Sequence, residues 1–196
     1  MRPPRSRSAL AAALAGVALA ACLVLGAGCG AHAPTGRQHY TNARFGVSIV
    51  VARRLPQWRS TTAAGGSAFE VSFVDPDGAV ADGRHLDALT LSTVDAGTIP
   101  AGSTQLTKAL GSLATAMVAR LGTQTQAGTT SDATLNDLSG VVVPYAATIA
   151  GRHVMGWLYL LASSSRIYAI TAQATADRWS SYRPLFTQAI DSFRAR

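Results

Sequence analysis

The chain has 196 residues, 14% of them charged and 7% aromatic, and carries a formal charge of +7; that length bounds it to one domain or a small pair. The charge is unevenly placed: Arg2, Arg5 and Arg7 head the chain, residues 30–69 hold five Arg and no acid, residues 70–95 hold six acids and one Arg, and the remainder holds eight basic residues and four acids. Past the first 29 residues the excess is a mild +4 broken by an acidic block, and with neither a binding motif nor interleaved aromatic and basic residues the pattern excludes nucleic acid as partner.

Residues 1–8 are basic without an acid, and residues 9–27 are apolar or small without a charge. A basic start, an apolar run and small residues at its end form a secretory signal. An uncleaved membrane anchor is the rival, since a short span needs about 17 to 25 residues, but this run is rich in Ala and Gly and ends at Cys. Cys22 follows Leu19-Ala20-Ala21, and Cys29 follows Leu25-Gly26-Ala27-Gly28. Each resembles the lipobox of bacterial lipoproteins, in which small residues precede the cysteine that receives diacylglycerol. Leu-Ala-Ala-Cys is closer in letters, whereas Cys29 lies where the apolar run stops and a polar stretch begins. Cys29 is taken as the lipidated residue, with Cys22 as the alternative. The expected organisation is a signal peptide at 1–28, a flexible tether at 29–39 and one domain at 40–196. Both cysteines lie at its margin, so no disulfide or thiol chemistry is expected in the folded part.

Along the domain, Phe45, Val47, Ile49 and Val51 alternate with smaller residues, predicting a strand with one buried face. Phe69, Val71 and Phe73 repeat the pattern, and Asp75-Pro76-Asp77-Gly78 ends it as a turn. Leu89, Leu91 and Thr93 mark the next strand. Leu106, Leu110, Leu113, Met117 and Leu121 recur at helical spacing behind Ser103 or Thr104 as cap, and Gly122 follows as a stop. Residues 123–137 are polar and read as loop. Three strands follow, at roughly 139–150, 153–163 and 165–175. In the middle one Met155, Trp157, Tyr159 and Leu161 line one face and Val154, Leu158 and Leu160 the other, so both faces are covered. A last helix beginning at Asp177 or Ser181 carries Leu185, Phe186, Ala189, Ile190 and Phe193. Short turns force antiparallel pairing, and the order gives an α+β domain, an antiparallel sheet packed by helices.

The opening from Tyr40 to Ile49 with its turn at Phe45-Gly46, the following Trp58, and the end from Arg166 to Ile170 with a helix closing on Ser192-Phe193 resemble the PsbP-like fold group, which includes the LpqN-type bacterial lipoproteins. The resemblance implies a PsbP-like α/β/α sandwich and an accessory or binding role, with no shared catalytic residue to carry over.

The residues themselves point away from catalysis. His32, His39, His85 and His153 stand at no ligand spacing. Asp75, Asp77, Asp82 and Asp87 do not make a calcium loop, because Pro76 interrupts the ligands, Gly78 is misplaced and no Glu closes it. No Gly-x-Ser-x-Gly elbow is present, and Glu70, the sole Glu, falls on the solvent side of its strand. Trp58, Trp157 and Trp179 are expected in the core rather than in a ligand pocket. The expected function is therefore a membrane-anchored envelope lipoprotein on the outer face of the cell membrane. It would use no cofactor or metal and take an envelope protein or a small apolar ligand as partner. The alternative is a pocket-bearing carrier or a hydrolytic enzyme of the envelope. Arg53, Arg54 and Arg59, close to the lipid in sequence and free of neighbouring acids, are expected to meet anionic headgroups.

Overall fold

The computed structural model describes residues 36–63, 66–96 and 104–195; Cys22, Cys29 and the signal peptide lie outside them. The first hairpin pairs β1 (Arg37–Asn42) with β2 (Val47–Ala52), Tyr40 opposite Ile49. Gly46 closes its turn at φ 65°, a conformation that costs a residue without a Cβ nothing. Residues 37–39, read from sequence as tether, belong to this strand. They lack an apolar period because β1 alternates between exposed and half-buried positions.

The main sheet contains β3 (Gln57–Thr62), β4 (Ala68–Val74), β7 (Ala88–Asp95), β8 (Thr123–Ala127), β10 (Leu138–Ile149), β11 (Arg152–Ala162) and β12 (Arg166–Thr175). Its order is β3-β4-β7-β12-β11-β10-β8, with β9 (Ser131–Leu135) also paired to β10. Every pairing is antiparallel. A two-stranded hairpin, β5 (Val80–Ala81) and β6 (Arg84–His85), interrupts the passage from β4 to β7. The helices are α1 (Thr104–Val118) and α2 (Trp179–Ser192), and β13 (Arg194–Ala195) returns to pair with β2. Residues 123–137, expected as loop, form two strands instead. They are mostly exposed and polar, so they are held by backbone pairing with β10 and leave no hydrophobic alternation to read.

Two cores flank the sheet. Phe69, Val71, Leu89, Leu91, Ile170 and Ala172 point to one side, where β2 and α2 supply Ile49, Val51, Phe186 and Ile190. Val141, Val143, Val154, Leu158 and Leu160 point to the other, beneath Leu110, Ala114 and Val118 of α1. β11 feeds both cores, as its double alternation predicts. Leu113, placed in the helical stripe by spacing, is 43% exposed; the stripe that packs runs through Leu110, Ala114 and Val118 instead. Among the described residues no helix is long and apolar enough to cross a membrane.

Candidate functional site

α1 packs on β10 and β11, and no described helix covers the same side of β4, β7 and β12. Residues there alternate accordingly. Phe69, Val71 and Phe73 are buried in the first core, whereas Glu70 and Ser72 face an open trough together with Thr90, Thr171 and Gln173. A strand packed on one side alone carries this in–out alternation. The trough has a volume of about 510 Å³, within the range of about 300–1,000 Å³ typical of small-molecule sites.

One rim is built by β3. Its register against β4 slips between Gln57, opposite Phe73, and Arg59, opposite Ser72, so Trp58 is the extra residue of a bulge. A bulge re-aims the side chain it displaces. Trp58 accordingly leaves the core, is 62% exposed, and meets the His85 ring edge-on at 4.5 Å. This overturns the core position expected for it. Trp157 and Trp179 do pack against the first core, edge to face at 4.9 Å, so the core reading holds for those two.

The second wall is the β5–β6 hairpin, whose tip, Asp82-Gly83, has φ 49° and 70°; Asp-Gly suits the tight hairpin turn that needs two positive φ values. The hairpin presents Arg84 and His85 to the trough and drops Leu86 into the second core. The Gln173 side-chain amide donates to the Leu86 carbonyl at 3.2 Å and accepts from the Tyr145 hydroxyl at 3.1 Å. Burial pushes the Tyr145 phenol up from its ordinary range, so it stays a donor.

What fixes this hairpin is a buried ionic cluster absent from the sequence expectations. Asp75 and Asp87 close the two ends of the insertion and are 2% and 0% exposed. One Asp87 oxygen accepts from the Ala79 backbone at 2.8 Å and lies 2.9 Å from Arg178 Nη1, while the other accepts from the Thr175 backbone at 2.9 Å. Asp75 accepts from Arg54 Nε at 2.7 Å, from the Asp77 backbone at 2.9 Å and from the Tyr182 hydroxyl. The Arg54 and Arg178 guanidiniums lie over the Tyr182 ring at 4.7 and 5.2 Å. Two carboxylates and two guanidiniums make the cluster formally neutral, which is what burying charge requires. Burial alone raises the Asp75 carboxyl, but the hydrogen bonds from Tyr182 and Arg54 outweigh it and hold the group below the usual carboxylate range. Burial first, then the bond to Asp75, pushes the Tyr182 phenol well above its ordinary value. At the start of α2, Arg178 occupies the cap position without a side-chain cap, since a guanidinium has no acceptor for the first-turn amides, and its side chain turns instead to Asp87 and Tyr182.

The structure scatters the three arginines expected at the membrane. Arg53 is exposed just past β2, Arg54 is tied into the buried cluster, and Arg59 lines the trough. Among the described residues no group of three His, Cys, Asp or Glu could hold a metal ion.

No protein-family description matches the chain, and no curated protein does. Solved structures do. The chain is similar to the cyanobacterial PsbP protein (CyanoP) of Synechocystis sp. PCC 6803, with a TM-score of 0.55 at 14% identity, covering 88% of this chain and 99% of that one. It is similar to a Bacteroides thetaiotaomicron protein with a TM-score of 0.53 at 9% identity over 81% of this chain, and spans 48% of that protein's length. LpqN of Mycobacterium tuberculosis, involved in cell envelope biogenesis, gives 0.43 at 12% identity over 83% of this chain and 80% of its own. At such identities the likeness concerns architecture alone: a mostly antiparallel sheet between helices, the PsbP-like α+β fold.

Proposed function

We propose that this chain is a lipid-anchored accessory protein of the cell envelope that binds its partner through the trough and performs no chemistry of its own. Trp58 carries the reading. Exposing a tryptophan at a bulge forgoes the burial of one of the largest apolar side chains, and the fold places it at the mouth of a preformed concavity. The apolar side of the sheet is filled by contrast, with Trp157 and Tyr159 packed on the first core. The trough mixes Val74, Leu86, Leu121 and Ile149 with its charged and hydroxyl side chains, and it is the filled core around Trp157 and Tyr159 that argues against the apolar pocket between sheet and helix on which the carrier alternative depends. Attachment is through Cys29, with Cys22 as the alternative, on the outer face of the membrane. Exposed Arg53 and Arg59 face anionic headgroups there and orient the domain, the diacylglyceryl group holding it.

The test is a photo-crosslinking amino acid introduced in living cells at position 58 and, as control, at exposed position 187 on α2. A discrete adduct from 58 and none from 187 is expected. The same adducts from both positions, or none from 58, would reject the trough as the binding face. Hydrolysis by the purified chain that is lost on one Ser or His substitution would reject the non-catalytic part.

A further inference from the structure

Arg59, Arg84 and Arg120 line the trough, and none of their guanidiniums forms a hydrogen bond or ion pair with another described residue. Elsewhere Arg37, Arg54, Arg166, Arg178 and Arg194 donate to protein acceptors, while Arg44, Arg53, Arg152 and Arg183 also make no side-chain hydrogen bond or ion pair among the described residues; what sets Arg59, Arg84 and Arg120 apart is that they line one concavity. Three uncommitted guanidiniums around one concavity form an anion site, and their planar fork matches phosphate oxygens two at a time. A site for a bare anion, however, would not contain Glu70, which lines the same trough and is equally uncommitted. A carboxylate accepts hydrogen bonds and repels phosphate, so its presence calls for ligand hydroxyls. The Ser72 and Thr90 hydroxyls, paired at 3.1 Å on the floor, add partners of the same kind. Trp58 offers a flat aromatic face, whose negative quadrupole favours the slightly positive C–H bonds of a saturated ring. His85 Nδ1 is buried without a partner, and buried polar atoms are otherwise nearly always matched.

From this set we infer that the trough binds a polyol phosphate, with the phosphate on the guanidiniums, the ring hydroxyls on Glu70 and the C–H face against Trp58. The inference rests on the trough being the binding face. The ligand chemistry has two sources, a free sugar or inositol phosphate and the headgroup of a phosphoinositide-type lipid.

The experiment titrates the full chain in neutral detergent with inositol 1-phosphate, inorganic phosphate and inositol, read by calorimetry. Inositol 1-phosphate should bind more tightly than either fragment. Arg84→Gln and, separately, Arg120→Gln should each weaken it about tenfold, the size expected when one charge-assisted contact is lost. Trp58→Ala should weaken it and Trp58→Phe should restore most of it. Glu70→Gln gives the sharpest test, since it should weaken inositol 1-phosphate while strengthening inorganic phosphate. Competition by phosphatidylinositol doped into the micelles identifies the headgroup as the source, and no competition identifies the free compound; either supports the assignment. Inositol 1-phosphate binding no better than phosphate, or Glu70→Gln strengthening both, overturns it. A crosslinked protein at position 58 with no phosphate binding would overturn this inference alone and leave the trough as a protein-binding face.

Discussion

Asp87 meets α2 and the hairpin through one carboxylate. Truncating it to Ala leaves the Ala79 and Thr175 amides unmatched and Arg178 without its counter-charge. Removing one partner of a buried pair costs about 3 kcal/mol or more, so Asp87→Ala should lower the melting temperature by roughly 6–12 °C, measured by circular dichroism. Trp58→Ala, at a solvated rim, should stay within about 0.5 kcal/mol of the parent, which separates a binding residue from a structural one. The cluster also sets a pH window. The Asp75 carboxyl is held below its ordinary value when folded, so its stabilisation is full above about pH 4 and drains away as pH falls through the depressed folded value. The Tyr182 phenol is raised when folded, so its contribution is full below about pH 10 and is lost as pH climbs above that. Thermal melts across pH should show both limbs. Asp75→Asn should flatten the acid limb relative to the parent, and an unchanged acid limb would remove Asp75 from the account.

At the scale of elements, apolar period proved a sufficient guide wherever a strand or helix buries a face. The three strands β10, β11 and β12 lie within about two residues of their expected limits, because each buries at least one alternating face and β11 buries both. β8 and β9 were invisible, since polar edge pairing leaves no such trace. The buried cluster was unreadable for another reason. Asp75 and Asp87 have the composition of a turn, and only the fold brings Arg54, Arg178 and Tyr182 to them from far along the chain. The trough escaped detection likewise, because its bulge depends on register rather than residue type; the one available signal was a tryptophan among polar neighbours in Gln57–Thr62. Close strand approach is testable at Gly140, where a Cβ would lie 1.9 Å from the Leu160 carbonyl oxygen. Gly140→Ala must spread β10 from β11 and should cost about 2 kcal/mol or more, as overpacking of a filled interior does. Chemical denaturation is the measure, and a neutral result would show that the ladder yields easily.

For the whole molecule, the proposed attachment and orientation at the membrane are separable by experiment. Cys29→Ser should release the chain from the membrane fraction. Retention of that variant with release of Cys22→Ser would assign the lipid to Cys22 instead. Orientation is tested with Arg53→Gln and Arg59→Gln together, Arg54 being left intact because it serves the buried cluster. Unlipidated chain should bind anionic vesicles less well after the double change, and the parent's advantage should vanish as salt screens the charges. Equal binding by parent and variant would leave those two arginines as ordinary solvated positions. The proposed lipid attachment would also confine neighbours to two dimensions, where local concentration is high and β3, at the end of the sheet among the described strands, would meet the corresponding strands of other copies. An unbroken outer strand offers its unpaired amides and carbonyls as a template for further strands, and natural sheets blunt such edges with bulges and charge. The slip at Trp58 and the positive charge of Arg59 beside it do both, so the distortion that exposes Trp58 also keeps crowded copies from zipping together into oligomers.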